Sequence, residues 1–208
     1  MTSIGAILLA GGRGSRVGGA VKPLFVVGGR TLLHAAVDAA RDAGADPITV
    51  AAPVLDPTLP VTWAPEDPPF GGPVAGIIAG LDSWRDSWDD SAPGAPAAAV
   101  PEWTLVLACD LPDVGAAVSR LVHDMMLLPS DIGGVCLADA TGRAQWLTGL
   151  YRTAALRETA STLPDRGRNA SMRALVAGLN VAVVDAPDAT RDIDTWEDLK
   201  RAKERMDG

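Results

Sequence analysis

Short apolar runs and amphipathic stretches alternate along the chain. Ile4–Ala10 is a short apolar run that reads as a buried strand. In Thr31–Ala43, "TLLHAAVDAARDA", Leu33, Ala36, Val37 and Ala40 share one helical face and Gly44 ends the pattern. A strand over Pro47–Pro53 follows, then a helix over Val74–Leu81 behind a Gly-Gly-Pro turn and a buried strand over Thr104–Cys109. The rhythm continues with helices over Gly115–Leu128, Ala154–Thr162, Ser171–Ala177 and Thr195–Met206, and extended segments over Ile132–Leu137, Trp146–Tyr151 and Val181–Val184. Such alternation predicts an α/β fold, a three-layer α/β/α sandwich with a mainly parallel central sheet.

One stretch interrupts it. Residues 82–103, "DSWRDSWDDSAPGAPAAAVPEW", are acidic and then rich in Ala and Pro. The first part can extend the preceding helix, and the rest reads as a flexible surface insert because strands resume at once. With 208 residues, a single domain over 1–208 is expected. The net charge of −8 argues against broad binding to nucleic acid or anionic membrane, so any anion must be captured locally. No basic region precedes the first apolar run, and no run approaches the ~18 apolar residues of a spanning helix, which makes a cytoplasmic protein the expectation. Cys109 and Cys136 lie in apolar runs with no C-x-x-C and no histidine nearby, and are read as small buried residues. His34 and His123 fall in helical patterns and are not assigned to catalysis.

The candidate chemistry begins where the first strand ends. Gly11, Gly12, Gly14, Gly18 and Gly19 fall within nine residues, with Arg13, Arg16 and Lys22 among them. A P-loop fails, because Gly14 and Gly19 are followed by Ala20 where the lysine belongs. A dinucleotide fingerprint from Gly12 and Gly14 fails at Val17, where a Gly or Ala is needed. What remains is a long loop whose glycines let backbone N–H groups converge on an anion, with Arg16 and Lys22 supplying charge for a polyphosphate. Asp110 follows a buried strand, so its carboxylate is aimed at the crevice where ligands of parallel sheets lie; a helix cap is its alternative. Thr195 and Asp198 form a capping box, which leaves Asp192 and Asp194 unexplained.

In order along the chain, "LLAGGRGSRVGGAVK", "FGGPVAGIIAGL", "LACDLP", "QWLTGLYR" and "DIDTWEDL" resemble motifs of the molybdenum cofactor guanylyltransferases. The family patterns are L-A-G-G-x-x-x-R-M-G-G-x-D-K, G-P-L-A-G-I, C-D-M-P, Q-P-L-x-G-L-Y-R and N-x-N-T-P-E-D-L. This chain has Val17 for the methionine, Val21 for the aspartate before the lysine, and aspartates for both asparagines of the last motif.

The resemblance implies a Rossmann-like nucleotide-diphospho-sugar transferase fold and transfer of GMP from GTP to molybdopterin, with Mg²⁺ as cofactor and pyrophosphate as product. It implies catalytic roles for Arg16, Lys22 and Asp110, and metal binding by Asp110 and Asp194. Nucleotide contacts are implied for Leu9, Ala10, Gly11, Gly12, Gly14, Ser15, Arg16, Lys22, Gly72 and Asp110, with Glu66 or Asp67 meeting the base or the metal. For the acceptor it points to Gln145, Tyr151, Arg152, Arg168, Asn169, Ser171 and Arg173, of which the last four have a solvated loop and an ordinary capped helix as their alternative. Two other readings stay open: a related transferase using CTP or another phosphorylated acceptor, suggested by "DIDT", and a nucleotide-binding module without turnover, suggested by Val21.

Overall fold

The computed structural model describes residues 2–12, 17–89 and 100–206. Strand β1 (Ile4–Leu9) leads through the glycine-rich loop to a small hairpin, β2 (Val26–Val27) and β3 (Arg30–Thr31), then to α1 (Leu32–Asp42), β4 (Ala45–Ala51), β5 (Thr62–Trp63) and α2 (Pro73–Asp89). After β6 (Trp103–Ala108) come α3 (Val114–Met125), β7 (Gly134–Ala138), β8 (Ala144–Arg152), α4 (Thr153–Thr162), α5 (Met172–Leu175), β9 (Val181–Asp185) and α6 (Trp196–Met206). Seven strands form one sheet in the order β5-β4-β1-β6-β8-β7-β9. All neighbours pair in parallel except β8, which runs antiparallel to both β6 and β7.

Alternation along the central strands divides the core. Ala6 and Leu8 of β1, with Leu105 and Leu107 of β6, pack against Leu33, Val37 and Ala40 of α1 and Val118 and Leu121 of α3. Ile7 and Val106 face the other way, onto Val74, Ile77 and Leu81 of α2, Leu156 of α4 and Leu175 of α5. These two apolar faces make the central strands near-continuous hydrophobic runs, as a sheet covered on both sides requires. A third cluster, Val27, Leu32, Ile193, Leu199 and Ala202, ties the hairpin to α6.

The helix boundaries have local causes. Thr31 caps α1, its hydroxyl accepting from His34 N at 3.1 Å, and Gly44 beyond its end takes a φ of +74°. The capping box at α6 is reciprocal: Asp198 N donates to Thr195 Oγ1 at 3.2 Å and Thr195 N donates to Asp198 Oδ2 at 2.8 Å. The α2 pattern runs on through Asp89, beyond the sequence-based limit of Leu81. Its buried Trp84 donates from Nε1 to Thr49 Oγ1 at 2.9 Å, and that contact anchors the added turns. Residues 90–99 of the acidic and Ala/Pro-rich interruption lie outside the described residues. The tiny strands β2, β3 and β5 have too few residues to leave a periodic signal. Among the described residues, no helix is long and apolar enough to cross a membrane.

Helix α2 lies very close to β1. A Cβ added at Gly80 would stand 2.8 Å from Ile7 Cγ2, and Ile7 is fully buried and has nowhere to move. Gly80→Val is therefore expected to destabilise the fold by about 2 kcal/mol or more through overpacking, read as a lower urea midpoint with the slope unchanged.

Candidate active site

The chain begins at β1, winds to β4 on one side, and then crosses to β6 on the other. At such a switch point the loops leaving adjacent strands part and open a crevice at their carboxyl ends. Here those strands are β1 and β6, held in register at their exit by Cys109 N donating to Leu9 O at 3.1 Å. A cleft of about 340 Å³ opens there, walled by Leu9 to Gly12, by Ala20 to Pro23, by Cys109 and Asp110, and by Asp194.

Residues Arg13, Gly14, Ser15 and Arg16 lie outside the described residues, and with them three of the expected nucleotide contacts. The chain resumes at Val17, which is buried, so the position asks for an apolar side chain. Gly18 and Gly19 then take φ of +66° and +81° in a turn closed by Ala20 N donating to Val17 O, a conformation that side chains with a Cβ resist. The turn delivers Lys22 at the head of a 3-10 segment, Lys22–Leu24. Its Nζ lies 2.5 Å from Asp194 Oδ1 across 172 positions of sequence, with both side chains partly buried.

Asp194 reaches the cleft because Ile193 N donates to Asp110 O at 2.9 Å. In this extended segment Ile193 turns into the third apolar cluster, and the carboxylates on either side of it face Asp110. Asp110, Asp192 and Asp194 each place an oxygen within 4.8 Å of the others. Burial pushes the Asp110 carboxyl up to about 6, aided by the charges of Asp192 and Asp194 and opposed by Lys22. Asp192 is also shifted upward, by loss of hydration and then by Asp194. Among the described residues three carboxylates stand against one lysine, and this surplus of negative charge on an all-oxygen donor set fits a hard divalent cation such as Mg²⁺. Asp192 was absent from the metal set expected from sequence; the D-x-D spacing on extended backbone was the available signal.

The other expected residues scatter. Asp67 and Arg168 line a second cleft of about 530 Å³ beside α2, away from the acidic cluster. Glu66 lines the same second cleft; its Oε2 accepts from Gly71 N at 2.6 Å, and its Oε1 would lie 3.9 Å from a Cβ on Gly11, a residue of the first cleft's wall. Gly72 sits at the start of α2, its carbonyl accepting from Gly76 N, and is not on the wall of the first cleft. Asn169 donates its backbone N–H to Gly71 O at 2.6 Å, Ser171 caps α5 through Ala174 N, and Arg173 is exposed on α5. The alternative reading of that segment as an ordinary capped helix thus describes Ser171.

Two acceptor assignments are corrected by the strand direction and the core. Tyr151 is fully buried in the apolar layer beneath α2, and its hydroxyl donates to Trp146 O at 2.7 Å, so it has no surface to offer a ligand. Arg152 pairs in register with Trp103 at the start of β6, the opposite edge of the sheet from Asp110. There it lies 4.6 Å over the Trp103 ring and bonds Glu102 at 2.8 Å. Gln145, at the other end of the antiparallel β8, lies toward the same edge of the sheet as Asp110, its amide donating to Asp139 at 2.6 Å.

The model of one sequence family, the MobA-like NTP transferase domain, matches residues 6–186. The chain belongs to that family. A comparison with curated proteins returned no significant match. Among solved structures, molybdopterin-guanine dinucleotide biosynthesis protein A from Archaeoglobus fulgidus superposes with a TM-score of 0.67 at 17% identity, over 97% of this chain and 98% of that one. A nucleotidyl transferase from Methanothermobacter gives 0.68 at 19% identity over 99% and 98%. The 2-C-methyl-D-erythritol 4-phosphate cytidylyltransferase from Thermus thermophilus gives 0.67 at 22% over 99% and 100%. At these identities the MobA-like domain and its neighbours share a fold, the mainly parallel nucleotidyltransferase sheet.

Because Asp110 is costly to ionise where it stands, Asp110→Asn in this MobA-like domain is expected to stabilise the metal-free protein. A carboxyl raised to about 6 in the fold, against about 3.9 unfolded, penalises folding fully above the higher value and not at all below the lower. The gain should be about 1–3 kcal/mol at pH 7.5 and vanish near pH 4, measured by urea unfolding in the presence of a chelator.

Proposed function

We propose that this protein is a Mg²⁺-dependent guanylyltransferase that joins GMP from GTP to molybdopterin and releases pyrophosphate. The observation that carries the reading is the convergence of Asp110, Asp192 and Asp194 with Lys22 at the end of β6, beside the strand that feeds the glycine-rich loop. The motif resemblance supplies the choice of guanine and of the acceptor.

Asp110 and Asp194, with Asp192 beside them, would hold the metal ion, which when bound neutralises charge on the triphosphate and draws electron density from phosphorus. An oxygen of the acceptor's phosphate attacks the α-phosphorus in line, and the bond from that phosphorus to the bridging oxygen breaks with its electrons leaving on pyrophosphate. The attacking oxygen is already anionic, so no serine or cysteine nucleophile and no strong base are required. Lys22 meets the developing negative charge and the backbone N–H groups of Gly11 and Gly12 meet the triphosphate, a role that the motif resemblance extends to Gly14, Ser15 and Arg16. Of Glu66 and Asp67, Glu66 is our candidate to accept from a base bearing N–H donors, such as guanine N1 and N2, because its carboxylate approaches Gly11. Gln145, on the sheet edge that carries Asp110, and Arg168, on the second cleft, are the acceptor candidates that remain.

A second reading, the same transfer from CTP, is favoured by Asp192 and Asp194, since the pattern of the guanylyltransferases has asparagines there. A matrix of GTP, CTP, ATP and UTP against molybdenum-loaded molybdopterin and other phosphorylated acceptors, read as pyrophosphate release, separates the two. GTP with molybdopterin is expected to exceed the other pairs. Asp110→Ala and Lys22→Ala should each lower kcat/KM by about 10²–10³ while GTP still binds. A wild type that binds GTP but releases no pyrophosphate, whichever acceptor is supplied, would instead mark a binding module.

A further inference from the structure

The pairing of Lys22 with Asp194 joins two segments 172 positions apart, and neither belongs to the main sheet. Something must hold them together. Phe25 follows Lys22 by three residues, and its N–H donates to Lys22 O at 2.9 Å, so ring and ammonium belong to one rigid turn. Trp196 follows Asp194 by two residues and opens α6 behind the Thr195 cap. The two rings meet with centroids 5.2 Å apart and planes tilted by 34°. Phe25 packs against the third apolar cluster, to which Ile193 contributes from between the two cluster aspartates and Val27 from the hairpin. Yet Trp196 remains 56% exposed, so burial of its ring is not what the position supplies. The motif this segment resembles has proline there, which can open a helix but offers no aromatic ring.

We propose that Phe25 and Trp196 are positioning residues: their ring contact fastens the Lys22 turn to the Asp194 segment and so holds the ammonium on the carboxylate. This deepens the nucleotidyl transfer proposed above, since the catalytic meaning of the pair rests on that reading, whereas the mechanical coupling does not. Loss of either ring frees the turn to swing on the glycines before it, and Lys22 leaves Asp194 without unfolding of the sheet.

The chain has three lysines, Lys22, Lys200 and Lys203, and the last two are exposed on α6. Timed acetylation by a small N-hydroxysuccinimide ester, mapped by mass spectrometry, therefore reads Lys22 against two internal references with no need for turnover. Trp196→Ala is expected to speed Lys22 modification about tenfold relative to Lys200 and Lys203, as Asp194→Asn does, and Trp196→Phe to restore the slow rate. Phe25→Leu, which keeps apolar bulk over the cluster, should act in the same direction and covers the case of an unstable Trp196→Ala. A Lys22 rate that these ring variants leave unmoved overturns the proposal, as does acceleration of all three lysines together, which reports general loosening. In an assay that shows nucleotidyl transfer, Trp196→Ala should lower kcat about tenfold with little change in KM for the nucleotide. The double variant with Lys22→Ala should then be no worse than Lys22→Ala alone; losses that multiply overturn the coupling.

Discussion

Placing three carboxylate oxygens within 4.8 Å of one another costs electrostatic free energy, more so at the end of a buried strand than in water. Much of the surrounding architecture offsets that repulsion. The sheet fixes Asp110 through β6, one backbone hydrogen bond from Ile193 to Asp110 brings in the other two, and Ile193 is sunk in an apolar cluster that the repulsion would otherwise have to extract. Lys22 is the compensating charge within the cleft wall. Stability is thus lowered at the point where a divalent cation would restore it, the usual relation between a binding site and its scaffold.

The layered fold was legible because its signal is repeated: Ile4–Leu9 and Trp103–Ala108 are apolar on both faces, and α1 carries its cap and its terminating glycine in the sequence. Asp110 was legible for the same reason, since a carboxylate directly after such a strand has one place to go. Asp192 was overlooked because its role depends on how the Ile193 backbone docks on Asp110, which no local pattern records. Tyr151 and Arg152 were misassigned through the direction of β8. Motif order does not say that this strand runs backwards, and reversal sends its two ends to opposite edges of the sheet. Arg16, Gly14 and Ser15 lie outside the described residues, and their assignment rests on the resemblance.

The departures from the resembled pattern also make physical sense together. Val17 is buried, so exchange of one apolar side chain for another changes little there. Val21 is on the cleft wall and 44% exposed, and it removes a negative charge from beside Lys22. Aspartates at 192 and 194 return negative charge from the opposite wall. Among the described residues the balance of charge in the cleft is therefore kept negative although its distribution differs, with the acids gathered on one side and Lys22 on the other.

Cys109 stands between β6 and Asp110 and lines the cleft, yet it is almost wholly buried, and burial followed by the Asp110 charge pushes its thiol far above the ordinary range. It is protonated under any physiological condition and a poor nucleophile. A sulfur placed one residue from Asp110 is thereby shielded from oxidants and alkylating agents by its burial, even on the wall of an open cleft. The same placement makes it a native gauge of packing at the end of β6, since any reagent that labels Cys109 must first loosen the strand exit.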